Sequence, residues 1–147
     1  YPVNIVKRFV QHFDLNPQDM TVCIAGIAFK GLPETNDHRG SISVDVAKKL
    51  TGLGFEVTGF DAVMNQEEIT KTGITPVDFE TGVNTCDIYL ILNNHPHNTP
   101  DGLLSGLSNR QVLLFDGWSM IDKSEVEQYD KITYSTMGYI TSLNDDK

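Results

Sequence analysis

Residues 21–27 read TVCIAGI, residues 28–40 AFKGLPETNDHRG, residues 41–54 SISVDVAKKLTGLG and residues 55–61 FEVTGFD. This stretch decides the fold. Residues 21–27 form a short apolar run rich in β-branched side chains, the pattern of a strand buried on both faces. Residues 28–40 carry glycine, proline and charges and read as a loop. Ser41 can cap a helix whose apolar stripe is Ile42, Val46, Ala47, Leu50 and Leu53, and Gly54 ends it. Residues 55–61 then form a second strand. Strand, loop, helix and strand in this order make a βαβ unit, and such units build parallel sheets.

The flanks extend the pattern. Upstream, Val6, Phe9, Val10 and Phe13 recur at spacings of three and four, which predicts a helix over 3–13 with one buried face. Asn16-Pro17 turns the chain after it. Downstream, residues 88–92 (IYLIL), 112–116 (VLLFD) and 132–135 (ITYS) are predicted as strands, the last being the final one. Residues 62–75 are mixed, with one short helix about 66–71. Residues 76–87 are ambiguous, 93–100 form a polar turn region, and short helices are expected at 102–107 and 123–128. A polar tail closes the chain at 144–147. The expected fold is α/β, a Rossmann-like open parallel sheet with helices on both faces, because right-handed crossovers place them there.

Composition excludes several classes. The chain has 147 residues, 39% of them apolar, enough for one core without staples. No run approaches the ~20 apolar residues of a membrane span, so no membrane partner is expected. Eleven Lys and Arg stand against twenty Asp and Glu, a net charge of −9, which argues against nucleic-acid binding. Cys23 and Cys86 lie in or beside apolar runs and read as buried free thiols of a reducing compartment. The opening Tyr1-Pro2, with no methionine, reads as the start of an excised piece of a longer protein.

Open α/β sheets bind ligands beyond the carboxyl ends of their strands, so four segments are candidates. After the first strand, Lys30 and Arg39 precede a helix N-terminus. There a lysine point charge, an arginine fork and free N–H groups suit phosphate. A solvated loop with two surface charges is the plainer reading of the same residues. The segment has no G-x-G-x-x-G fingerprint and no phosphate loop of the G-x-x-x-x-G-K type. After the second strand, Asp61 can accept from a ribose or cap a turn. After the third, His95 and His97 have no cysteine or acid at ligand spacing, and a polar loop is expected, with no metal. After the fourth, Trp118 can stack on a base or cover the core, and core coverage is the simpler choice for the residue taken alone. Cys23 has no activating neighbour and is not expected to be a nucleophile.

The run Gly26-Ile27-Ala28-Phe29-Lys30, followed by Thr35, Asp37, Arg39 and Ser41, resembles the C-terminal domain of nucleotide-sugar dehydrogenases. These are the UDP-glucose, GDP-mannose and UDP-N-acetylmannosamine dehydrogenases. Gly54-Phe55-Glu56-Val57 leading to Asp61, Cys86-Asp87-Ile88 and Asp116-Gly117 extend the resemblance over residues 21–138. Three departures stand out. Four residues, Gly31-Leu32-Pro33-Glu34, separate Lys30 from Thr35, where the family commonly has fewer. Ala62 replaces the proline usual after the second-strand acid. Trp118 stands where many members carry an arginine.

The resemblance implies that residues 18–147 are the nucleotide-sugar-binding C-terminal domain and residues 1–17 the end of an interdomain linker helix. It implies that Phe29, Lys30 and Trp118 contact the substrate and that Arg39 faces the NAD phosphates. The ligand would be a nucleotide sugar, UDP-sugar favoured. NAD would be held mainly by an N-terminal domain outside this chain, where the catalytic cysteine also lies, so no catalytic residue is assigned here. The parent would be a cytoplasmic, homodimeric, NAD-dependent nucleotide-sugar 6-dehydrogenase serving polysaccharide biosynthesis, and this piece alone would be inactive. The alternative is a non-catalytic nucleotide-binding or regulatory α/β module.

Overall fold

The computed structural model describes residues 2–28 and 42–137, and the backbone of residues 139 and 140. Among the described residues there are seven strands: β1 (Thr21–Ala25), β2 (Glu56–Phe60), β3 (Thr75–Pro76), β4 (Ile88–Ile91), β5 (Val112–Asp116), β6 (Ile132–Thr136) and β7 (Tyr139–Ile140). Six α-helices accompany them among the described residues: α1 (Pro2–His12), α2 (Ile42–Gly52), α3 (Gln66–Lys71), α4 (Phe79–Thr85), α5 (Leu103–Leu107) and α6 (Lys123–Val126). The strands form one sheet in the order β3-β2-β1-β4-β5-β6-β7. All neighbours from β3 to β6 are parallel, and β7 pairs antiparallel with β6.

The chain builds outward from β1 to β3, then returns to β1's other side with β4. The switch point therefore lies between β1 and β4, where Val22 pairs with Ile88 and Ala25 with Ile91.

Period-two alternation divides the buried side chains between two faces. Val22, Ile24, Ile88, Leu90, Leu113 and Phe115 join α1 and α2 in one cluster. Cys23, Ala25, Tyr89, Ile91, Val112 and Leu114 join α4, α5 and α6 in the other. Both faces are covered, so the central strands read as continuous apolar runs rather than as alternation. Helix α1 buries Ile5, Val6 and Phe9 in the same cluster as β1, β4 and β5.

Three elements differ from the sequence reading. The ambiguous segment contains α4, started by Asp78, whose carboxylate accepts from Thr81 N–H at 2.7 Å. Strand β3 has two residues, one a proline, which an edge position tolerates. The strand at 132–136 is not the last, since β7 follows it and gives the sheet one antiparallel edge. The Ser41 cap lies outside the described residues.

Candidate functional site

The carboxyl end of the sheet is organised by side chains that hold loops. Strand β1 ends at Ala25, and Gly26 turns the chain at φ +99°, a region that favours glycine. Ile27 N–H and Ala28 N–H then donate to Asp61 Oδ2 at 2.6 and 2.8 Å. Asp61 Oδ1 accepts from Val63 N–H at 2.9 Å and Met64 N–H at 3.2 Å. Asp61 thus caps two turns with one carboxylate. Of the two roles open to it in the sequence, the structure shows the capping role.

Beyond β4, Asn93 is buried between the two loops. Its Nδ2 donates to Ala28 O and Asp61 Oδ2, each at 3.4 Å. Its Oδ1 accepts from His95 N–H at 3.2 Å and Asn98 Nδ2 at 2.6 Å. Tyr89 O–H donates to Asn98 O at 2.8 Å, and Ser43 O–H to Gly26 O at 2.6 Å. Asn98 Oδ1 is buried without a hydrogen-bond partner among the described residues. The sequence reading missed Asn93 and Asn98; three asparagines, Asn93, Asn94 and Asn98, within six residues of the apolar run 88–92 are the signal that could have found them.

His95 Nδ1 accepts from His97 N–H at 3.0 Å, a cap on the short 3-10 turn at Pro96–Asn98. The His97 ring stands edge-on to Phe60, with centroids 5.6 Å apart. Among the described residues no three metal-ligating side chains converge.

Beyond β5, Asp116 is fully buried and accepts from Met120 N–H (2.9 Å), Ile121 N–H (2.8 Å) and Tyr134 O–H (2.9 Å). Met120 and Ile121 are thereby drawn onto the core cluster under α5 and α6. The tip of the loop stays outside. Trp118 is 49% exposed and does not cover the core, which corrects the simpler of its two readings. The physical reason is that Met120 and Ile121, both partly buried, pack against the core after β5 in its place. The stacking role for Trp118 is left available.

Phe29, Lys30 and Arg39 lie outside the described residues. The described strand-end segments 26–28, 61–65, 92–98 and 117–121 contain no lysine or arginine. Arg110 serves structure instead: its Nε donates to Cys86 O at 2.7 Å and its Nη2 to Val83 O at 2.7 Å, satisfying the last carbonyls of α4. A cavity of about 420 Å³ opens between α5 and α6, but Asp101 and Glu125 line it with no cation, the wrong sign for a phosphate.

Cys23 and Cys86 are free and fully buried. Burial raises the Cys23 thiol well above its ordinary value and pushes Cys86 up to about 12, against the opposing pull of Arg110. Neither is an activated nucleophile.

The turn after β1 also bears on NAD. In a dinucleotide turn the first glycine makes the tight turn and the second lets the backbone approach the pyrophosphate. Gly26 matches the first, and Ala28 stands in the sequence where the second would be, so the chain lacks that fingerprint.

Solved structures share this architecture. An NDP-N-acetyl-D-galactosaminuronic acid dehydrogenase from Methanosarcina mazei superposes with a TM-score of 0.75 at 15% identity, over 97% of this chain and 30% of its own. A UDP-D-ManNAc dehydrogenase from Pyrococcus horikoshii gives 0.71 at 16% identity, over 93% of this chain and 30% of its own. A D-lactate dehydrogenase from Lactobacillus jensenii also superposes, at 0.59 and 18% identity, over 82% of this chain and 35% of its own, so the sheet alone selects no substrate. The chain thus spans about a third or less of the length of these relatives. No curated protein matches the sequence. The family model for the UDP-glucose/GDP-mannose dehydrogenase family, UDP binding domain, matches residues 23–123, and the chain belongs to that family.

Proposed function

We propose that this chain binds the nucleotide sugar within an NAD-dependent nucleotide-sugar 6-dehydrogenase, with a UDP-sugar as the favoured ligand. One observation carries the reading. Ala28 is held at the switch point from both sides, its N–H on Asp61 and its carbonyl under Asn93 Nδ2. The residues that follow it directly in the chain are Phe29 and Lys30. Chain order thus offers an aromatic ring and a cation directly after a turn anchored at the sheet end where such folds take ligands. Cations are otherwise missing from the described strand ends, so Lys30 and Arg39 are the natural source of phosphate neutralisation.

In this reading Lys30 meets the diphosphate, Phe29 and Trp118 pack on the nucleotide sugar, and Arg39 faces the phosphates of NAD. NAD itself is held mainly by a domain outside this chain, in keeping with Ala28 at the place of the second fingerprint glycine. When bound there, NAD accepts hydride as the sugar C6 alcohol is oxidised to a carboxylate. The present chain contributes binding and orientation, not the chemical step. Residues 1–17 would be the end of a linker helix. The parent would be a cytoplasmic homodimer supplying polysaccharide biosynthesis.

The test is calorimetric titration of the 147-residue chain with UDP-glucose, UDP, GDP-mannose and NAD. UDP ligands should bind measurably. NAD should bind no tighter than roughly millimolar, about −4 kcal/mol, because half of a bipartite site leaves the ligand's other face in water. The chain should show no turnover. Micromolar NAD affinity would overturn the assignment of the halves. Binding of an unrelated nucleotide in place of UDP ligands would favour a regulatory module.

A further inference from the structure

We propose that Asp116 and Tyr134 are positioning residues that clamp the loop after β5 and hold Trp118 out toward the ligand. The inference rests on the reading that Trp118 contacts the nucleotide sugar, and it adds the device that presents it.

The loop is residues 117–121. Its start is pinned to the neighbouring strand, since Gly117 N–H donates to Ile91 O at 3.1 Å. Gly117 is needed there: a Cβ at this position would lie 2.9 Å from that same carbonyl oxygen. Its far end is pinned by Asp116, which takes Met120 N–H on one carboxylate oxygen and Ile121 N–H on the other. Between the two pins the chain reverses, with Ser119 at φ +52° and its N–H on Asp116 O at 3.3 Å. A left-handed serine costs about 1 kcal/mol and persists only where its surroundings hold it.

Tyr134 completes the clamp from β6. Its hydroxyl lies 2.9 Å from Asp116 Oδ2 and 3.1 Å from Ile121 O, touching both the strand end and the loop. A phenol has one proton, and a carboxylate is the stronger acceptor. Burial, and next the Asp116 charge beside it, raise the Tyr134 hydroxyl above the ordinary phenol range, so it stays a donor at neutral and mildly basic pH. A buried carboxylate is costly unless hydrogen-bonded, and here two of its three donors come from the loop itself. The outcome is a half-exposed indole on a closed five-residue loop. An aromatic surface fixed before binding loses little entropy when a ligand stacks on it.

Trp118 is the sole tryptophan of the chain, so indole fluorescence, excited at the red edge where the five tyrosines do not absorb, reports on this loop alone. The experiment compares the parent chain with Tyr134→Phe, Tyr89→Phe and Trp118→Ala. Tyr134→Phe should keep a cooperative melt, yet lower the anisotropy of Trp118, raise its quenching by acrylamide, and weaken the UDP-glucose Kd at least about threefold. Tyr89→Phe removes a buried hydroxyl from β4 that bonds Asn98 and not this loop, and it should leave Trp118 anisotropy and quenching as in the parent. Unchanged Trp118 anisotropy and quenching in Tyr134→Phe would overturn the clamp. Unchanged UDP-glucose affinity in Trp118→Ala would overturn the ligand-contacting reading of Trp118, a separate failure. If Tyr134→Phe does not fold, time-resolved anisotropy of the parent decides. Trp118 should then tumble with the whole chain, and a dominant sub-nanosecond local motion would overturn the proposal.

Discussion

A methyl group on Gly26 would stand 2.4 Å from the Asn93 side-chain oxygen, although the two residues are 67 positions apart. The bare glycine is what allows the turn after β1 and the loop after β4 to meet at the switch point.

Gly26→Ala should therefore destabilise the fold by about 2 kcal/mol or more, through the clash and through the φ of +99°. Asn93→Ala in the same chain should recover only the side-chain part of the clash, since the Asn93 backbone nitrogen at 2.9 Å and the positive φ remain. Denaturant unfolding of the two single variants and the double variant measures both. Equal stability of parent and Gly26→Ala would refute the close approach.

Asp61 is expected to matter for stability before it matters for ligand. Asp61→Ala leaves the buried Ile27 and Ala28 N–H groups without their acceptor and should cost about 2–3 kcal/mol. Asp61→Asn keeps one acceptor oxygen and should fall between that variant and the parent. The check is the urea midpoint at constant slope.

The thiols should be silent in the native state. Cys23 and Cys86 should react with a thiol reagent only as fast as the chain opens, and at once in denaturant. Their pH signature has a definite sign. Both thiols titrate higher folded than unfolded, Cys86 near 12 against an ordinary 9.0. Above pH about 9 the unfolded chain therefore loses protons that the folded chain keeps. Stability should be flat with respect to these groups below pH 8, then fall by up to about 1.4 kcal/mol per pH unit per thiol. Melts from pH 7 to 10.5 on the parent and Cys86→Ala test this, and the alkaline decline should be shallower in the variant.

Lys30→Ala should weaken UDP-glucose binding by about 1.5–3 kcal/mol, the loss of one charge-assisted contact, while leaving the melt unchanged. Calorimetry reads the first and circular dichroism the second. An unchanged Kd would remove Lys30 from the diphosphate.

Much of the architecture was readable in the residues. The strand after Met20, the stripe of α2 and the runs around Leu90 and Leu114 announce their own secondary structure, because periodicity is a local property. The helix expected about 66–71 is present with those bounds, started by an Asn65–Glu68 capping box. Residues 79–85 were harder to read: α4 has only Gly82 and Val83 buried, too few to print a stripe.

The site divides along the same line. Chain order and residue chemistry were enough to point to the strand ends, to make Asp61 a ribose acceptor or a cap, and to make Trp118 a stacking surface or a core lid. Neither choice could be made locally. Asp61 became a cap because β2 lies beside β1, which brings Ile27 and Ala28 N–H to its carboxylate across 34 and 33 positions. Trp118 stayed outside because Tyr134, on the adjacent strand, helps Asp116 draw Met120 and Ile121 inward. Secondary structure follows from neighbours a few residues apart, which the order of residues specifies. The partner of a buried polar group depends on which strands become adjacent, and that is decided only when the crossovers have packed and the whole sheet has formed.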